Sequence, residues 1–128
     1  MIKGIDWILC PTANFDDTVV FFRDFLGLPL SASGVPTVDR QFARYAQFTA
    51  PDRTTLEIVE PTAAARDVFR APVVSLTVAD LAASHAQLAD RRVEFVAPIF
   101  ADGDGWGWTY LRAPDGQVYQ IQGPYRAE

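Results

Sequence analysis

Few side chains in this 128-residue chain can do chemistry: one histidine, one cysteine, three tryptophans and a scatter of carboxylates. Among the carboxylates, Glu57 is set apart by its surroundings. It lies in APDRTTLEIVEP, residues 50–61, and the chain later reads APDGQVYQIQGP, residues 113–124. Ala, Pro, Asp, Ile and Pro recur in place, and Glu57 is answered by Gln120. A lone carboxylate among indoles has its pKa raised by desolvation, so it can act as a general base or pair with a cationic ligand. Alternatively it does neither, and bonds only to Gln47, Arg44 or Arg112. His85 and Cys10 fall on the apolar sides of their elements, where a partly buried helix histidine and a small core residue are the expected roles.

The element that would position Glu57 is a hairpin. In APDG, Pro114 and Asp115 suit the centre of a type I turn and Gly116 the left-handed bulge position, which sets Ala113 opposite Gln117. Leu111 then faces Tyr119, and Tyr110 faces Gln120. Because strand side chains alternate, Trp108, Tyr110, Arg112, Val118, Gln120 and Gln122 share one face, and Thr109, Leu111, Tyr119 and Ile121 the other. The same register in the first copy groups Tyr45, Gln47, Thr55, Glu57 and Val59, although Arg53 stands where the bulge favours Gly. In the opening strands, Trp7 and Leu9 join that face along with Val73 and Ser75.

Ahead of each hairpin the chain repeats a strand and an amphipathic helix. IDWILC leads to a helix with Asn14 as N-cap, a stripe of Phe15, Val19, Phe22 and Leu26, and Gly27 as its stop. PVVSLTV leads to one capped by Asp80, with Leu81, His85 and Leu88 on its stripe. A further strand is expected near Val35–Val38 in the first copy and over Val93–Phe95 in the second, and Arg92 sits where a left-handed helix stop favours Gly. The fold class is therefore α+β: two tandem βαβββ modules, residues 4–61 and 71–125, within a single domain spanning 1–128. Each module buries one sheet face on its helix and leaves the other needing cover.

Composition narrows the function classes. A net charge of −5 with a sequence pI near 4.7 repels phosphates, which argues against nucleic acid and anionic membranes as partners. One cysteine precludes an internal disulfide, and no stretch resembles a leader or a membrane span, so a cytoplasmic location is expected.

The order of elements, FFRDFLGL, VADLAASHAQL and the closing APDGQVYQI together resemble the vicinal oxygen chelate superfamily of glyoxalases, bleomycin-resistance proteins and extradiol dioxygenases. The resemblance covers nearly the whole chain. It implies an incomplete barrel around a cavity and a homodimer. It also implies metal ligands on the first and last strands of each module, positions that carry Trp7, Val73, Glu57 and Gln120. One strong ligand in four does not make a divalent site, so neither metal nor other cofactor is expected. A weaker alternative completes a site around Glu57 with Asp102, Asp104 or a dimer mate.

What replaces the metal is an aromatic face with a few polar groups, the usual composition of a small-molecule pocket. The expected ligand-binding residues are Trp7, Tyr45, Gln47, Glu57, Trp106, Trp108, Tyr110, Arg112 and Gln120. Rings that merely fill a core are the competing explanation. The leading expectation is a metal-independent protein enclosing a planar or aromatic ligand, in the manner of antibiotic or toxin sequestration. The alternative is a metal-free isomerase, lyase or cyclase with Glu57 as general base.

Overall fold

The computed structural model describes residues 1–127 and resolves into two compact units. One is Asp6–Val73; the other joins Met1–Ile5 to the residues from Val74 onward.

In the first unit, β1 (Ile2–Pro11, from Asp6 on) leads into a helix over Phe15–Val20, α1, which continues through a widened turn at Phe21–Phe25. Three strands follow: β2 (Leu30–Gly34), β3 (Phe42–Thr49) and β4 (Thr55–Pro61). Their order across the sheet is β2-β3-β4-β1, antiparallel except for the parallel pair β1–β4. The core lies between α1 and one sheet face, where Phe15, Ala46, Phe48 and Ile58 are buried with Cys10, Val19, Phe22, Leu28 and Leu56 packed around them.

Two expectations for this unit are corrected. The extra strand is at Leu30–Gly34 rather than near Val35–Val38, because Leu30 pairs with Phe48 and reaches the helix side of the sheet. Leu26 is not on the buried stripe. The Leu26 N–H bonds to the Phe21 carbonyl five residues back, and this wider turn rotates the chain less per residue, leaving Leu26 57% exposed. Leu28, past the left-handed Gly27, fills the core instead. Asn14 stands at the N-cap but its side chain makes no cap bond; the Thr12 hydroxyl accepts from the Asn14 N–H there.

In the second unit, β5 (Val73–Val78, from Val74) precedes α2 (Leu81–Asp90). Two short strands, β6 (Glu94–Phe95) and β7 (Phe100–Ala101), pair with opposite ends of β8 (Trp106–Arg112), so the expected third strand is one ribbon broken over residues 96–99. β9 (Val118–Pro124) runs antiparallel to β8 and parallel to β5. Val78, Leu81 and Ile121 centre the core, with Leu76, Leu88 and Leu111 against them. Asp80 caps α2, its Oδ1 accepting from the Ala83 N–H at 3.0 Å. His85 stacks on Phe95 at 4.1 Å, on the helix side of the sheet as its stripe requires.

The two hairpins close by the same device. Asp52 accepts from the Thr54 N–H at 3.0 Å and Asp115 from the Gln117 N–H at 2.9 Å, and in both the following bulge residue is left-handed, Arg53 at φ 71 and Gly116 at φ 84. The Ala50–Thr54 and Ala113–Gln117 bonds match as well, so Arg53 tolerates the geometry without altering the register. Glu57 consequently lies opposite Gln47, and Gln120 opposite Tyr110.

A left-handed non-glycine costs about 1–2 kcal/mol, part of which glycine returns through its freer unfolded chain. Arg53→Gly is therefore expected to stabilise the protein by about 0.5–1 kcal/mol in urea unfolding, and Gly116→Arg to destabilise it by about 1–2 kcal/mol. Capping gives a second contrast: Asp80→Ala should cost about 1 kcal/mol, whereas Asn14→Ala should change the unfolding midpoint little.

Candidate functional site

Alternation along β1, β3 and β4 brings Trp7, Gln47 and Glu57 to the sheet face opposite α1. Gln47 is the direct cross-strand neighbour of Glu57, while Trp7 lies two residues along the parallel strand from Leu9, which faces Glu57. The carboxylate is held by both: the Trp7 indole N–H donates to Oε1 at 3.1 Å and the Gln47 amide donates to Oε2 at 3.1 Å. Tyr45 and Val59 form the next pair of the ladder on this face. All four polar or aromatic side chains here, Trp7, Tyr45, Gln47 and Glu57, are partly buried.

Burial pushes the Glu57 pKa above the ordinary carboxylate value; the hydrogen bonds from Gln47 and Trp7 pull it back, and the negative charge of Asp39 raises it again. Neutral donors stabilise a carboxylate less than a cation would, so desolvation wins. Arg44, offered as a partner by the sequence, is excluded by strand parity. It lies on the α1 face, forks onto both oxygens of Glu60 at 3.0 and 3.1 Å, reaches Asp16 at 2.9 Å, and covers the Phe15 ring. The other suggested cation, Arg112, binds Glu94 at 3.2 Å and the Gly116 carbonyl at 3.1 Å beside its own turn.

Asp39 was not among the expected site residues. It is 5% exposed in the β2–β3 connection, with Oδ1 accepting from the Gln41 backbone and side-chain amides. Alternation rules do not reach into a connection, so no sequence signal marks it.

The second unit carries its own polar cluster. The Trp106 indole donates to Gln122 Oε1 at 3.1 Å, and the Gln122 amide donates to Ser75 Oγ at 2.8 Å. The Gln120 amide donates to the Tyr110 hydroxyl at 3.3 Å, and both residues are buried, Tyr110 to 1% exposure. Trp108 remains partly exposed, its ring 6.0 Å from that of Phe100. Tyr125 and the Phe100 carbonyl pack against the strand at Gly107, where a β-carbon would lie 2.9 Å from each, so glycine admits that packing.

The donor set does not fit a family-type divalent metal. The indole of Trp7 and the isopropyl group of Val73 cannot coordinate, and in their unit Glu57 alone of the family's positions carries a ligating group, with both its oxygens accepting N–H bonds. Among the described residues no three His, Cys, Asp or Glu side chains are grouped to hold an ion, and the exposed Asp102 accepts from the Asp104 and Trp106 backbone N–H groups of its own loop.

Residues 4–121 match the Glyoxalase/Bleomycin resistance protein/Dioxygenase superfamily, and the chain belongs to it. Solved structures share the α+β fold. Methylmalonyl-CoA epimerase from Mycobacterium tuberculosis is 20% identical, covers 98% of this chain and 90% of its own, and superposes with a TM-score of 0.75. A variant of the Streptomyces coelicolor methylmalonyl-CoA epimerase, in complex with 2-nitronate-propionyl-CoA, is 20% identical over 98% and 100% of the two chains with a TM-score of 0.73. A 4-hydroxymandelate synthase variant from S. coelicolor is 17% identical, covering 99% of this chain and 50% of its own, with a TM-score of 0.65. No curated protein matches the chain in sequence. Among the described residues no helix is long and apolar enough to cross a membrane.

The raised Glu57 pKa has a definite linkage sign. The native state holds the proton to higher pH than the unfolded chain, so the carboxyl's contribution to stability falls as pH rises through the interval between the unfolded and folded values. Glu57→Gln keeps an acceptor and a donor in place and carries no charge. Its melting temperature should exceed wild type above that interval, and the gain should vanish at about pH 3, where glutamates are protonated in both states.

Proposed function

We propose that this chain is an enzyme that moves a proton at a carbon next to a carbonyl, with Glu57 as general base and no metal ion at the family's position. The observation that carries this reading is a partly buried carboxylate, raised in pKa, gripped by two neutral N–H donors and, among the described residues, paired with no cation. A base of this kind is a better proton acceptor than a solvated glutamate, while remaining aimed by Gln47 and Trp7. Two of the similar structures are epimerases, enzymes named for changing one stereocentre, which favours turnover over simple binding.

In the reaction so envisaged, a planar carbonyl compound lies along Trp7 and Tyr45. The ionised Glu57 takes a proton from the adjacent carbon, leaving an enolate. The protonated carboxyl then returns the proton to a different atom of the enolate, or to the opposite face of the same carbon after the enolate has turned over, giving an isomer. Alternatively the enolate expels a leaving group from the next carbon and the reaction is a lyase. Gln47 and Trp7 keep their hydrogen bonds throughout and fix the carboxyl's direction.

Sequestration of a planar ligand without turnover is the second reading, favoured by the partly exposed rings of Trp106 and Trp108. Solvent exchange separates the two. With 2-oxo acids and acyl thioesters, methylmalonyl-CoA among them, offered in D2O, the wild type should wash deuterium into the α-carbon of at least one compound. Glu57→Gln should slow this by at least about 100-fold, the lower range for loss of a general base, while tryptophan quenching by that compound persists. Quenching without exchange supports sequestration; equal exchange by the variant removes Glu57 from the chemistry.

A further inference from the structure

We infer that the carbonyl compound taken by the Glu57 site carries no carboxylate or phosphate near its reacting carbon. This rests on the general-base reading above and narrows its substrate class. The charge on the sheet face opposite α1 is the ground for it. Alternation and register place Trp7, Leu9, Tyr45, Gln47, Glu57 and Val59 on that face, and Ala32 and Gly34 of β2 extend it beside Gln47 and Tyr45. Among the described residues of β1 to β4, from Asp6 on, the face carries no arginine, lysine or histidine, and Glu57 is its one charged side chain.

The cations of this unit, all of them arginines, are placed elsewhere. Arg44 is on the α1 face with Glu60, Arg23 is bound to Asp24 at 2.8 Å and Arg70 to Asp67 at 2.8 Å. Arg40, Arg53 and Arg66 lie outside the strands and are exposed. In the second unit, taken by itself, the corresponding face of β8 carries Arg112, which Glu94 directly opposite in β6 already answers at 3.2 Å. The polar side chains that accompany it there, Ser75, Gln120 and Gln122, are neutral.

Sites for carboxylates and phosphates are built from arginine, lysine or helix N-termini, whose charge replaces the hydration that the anion loses. On this face a substrate anion would lose water and gain no counter-charge, beside a carboxylate that itself accepts from neutral donors. The negative charge of Asp39, which already acts on Glu57, adds to the repulsion. The same absence keeps Glu57 basic, because an arginine able to hold a substrate carboxylate here would also hold Glu57. A neutral carbonyl compound meets none of these costs. Simple ketones, aldehydes and acyl thioesters therefore fall inside the class, and 2-oxo acids and malonyl half-thioesters fall outside it.

Benzylacetone and 2-oxo-4-phenylbutyrate, which differ only by a carboxylate in place of the methyl group on the carbonyl, test this. Tryptophan quenching of the full chain at neutral pH should give a dissociation constant at least about tenfold lower for the ketone, the lower range for a charge at close quarters. Glu57→Gln, which removes the repelling charge, should narrow that gap. Equal affinities, tighter binding of the oxo acid, or binding of neither compound overturns the inference. So does a gap untouched by Glu57→Gln, which would locate the selectivity away from this face. Deuterium exchange next to the carbonyl, followed by NMR in D2O, reports separately on the general-base reading. No exchange of a ketone that binds selectively counts against that reading and leaves the charge selectivity supported.

Discussion

Strand register is the constraint on which the candidate site depends, and a single side-chain to backbone hydrogen bond fixes it in each half. Asp52 and Asp115 accept from the N–H two residues on, and the left-handed residue between them completes a bulged turn. A slip of one residue would transfer Glu57 and Gln47 to the α1 side and expel Ile58 and Phe48 from the core. The burial of those apolar side chains and the placement of the carboxylate are thus one event. The turn tolerates Arg53 in the first copy because the surrounding ladder holds the conformation, at a cost that glycine avoids in the second.

The same parity explains how neighbouring glutamates acquire opposite characters. Glu60 lies on the outer, α1 side of β4, where Arg44 grips it and lowers its pKa. Three residues earlier and on the other face, Glu57 meets only an indole and an amide, and burial raises it. Arg44 cannot serve both. A sheet needs no special device to separate a structural ion pair from a reactive carboxyl; alternation does it, provided that the cation is placed on one side only.

Much of this was legible in the sequence because hairpin registers and strand parity follow from local chemistry. The pairing of Tyr110 with Gln120 and of Gln47 with Glu57, the side taken by Cys10 and His85, and the cap at Asp80 follow from turn residues and periodicity. The features that escaped depend on geometry that the pattern does not encode. The wider turn after Val20 breaks the 3.6-residue period and sends Leu26 outward. The bonds at Asn14 go through Thr12 and Thr18 rather than through its own side chain. Asp39 sits in a connection, where no face can be assigned, yet its charge acts on Glu57. Arg112 was placed correctly on its strand, but its long side chain reaches back to Glu94 and Gly116 rather than along the face.

The account turns on Glu57 being an unusually basic carboxylate, and the chain contains only four glutamates. Selective 13C labelling of the glutamate carboxyl groups would give four titration curves, with the curve missing from Glu57→Gln identifying the site residue. The account predicts that this curve has its midpoint above the ordinary glutamate range, on the opposite side from Glu60. A Glu57 midpoint at or below that range would contradict it.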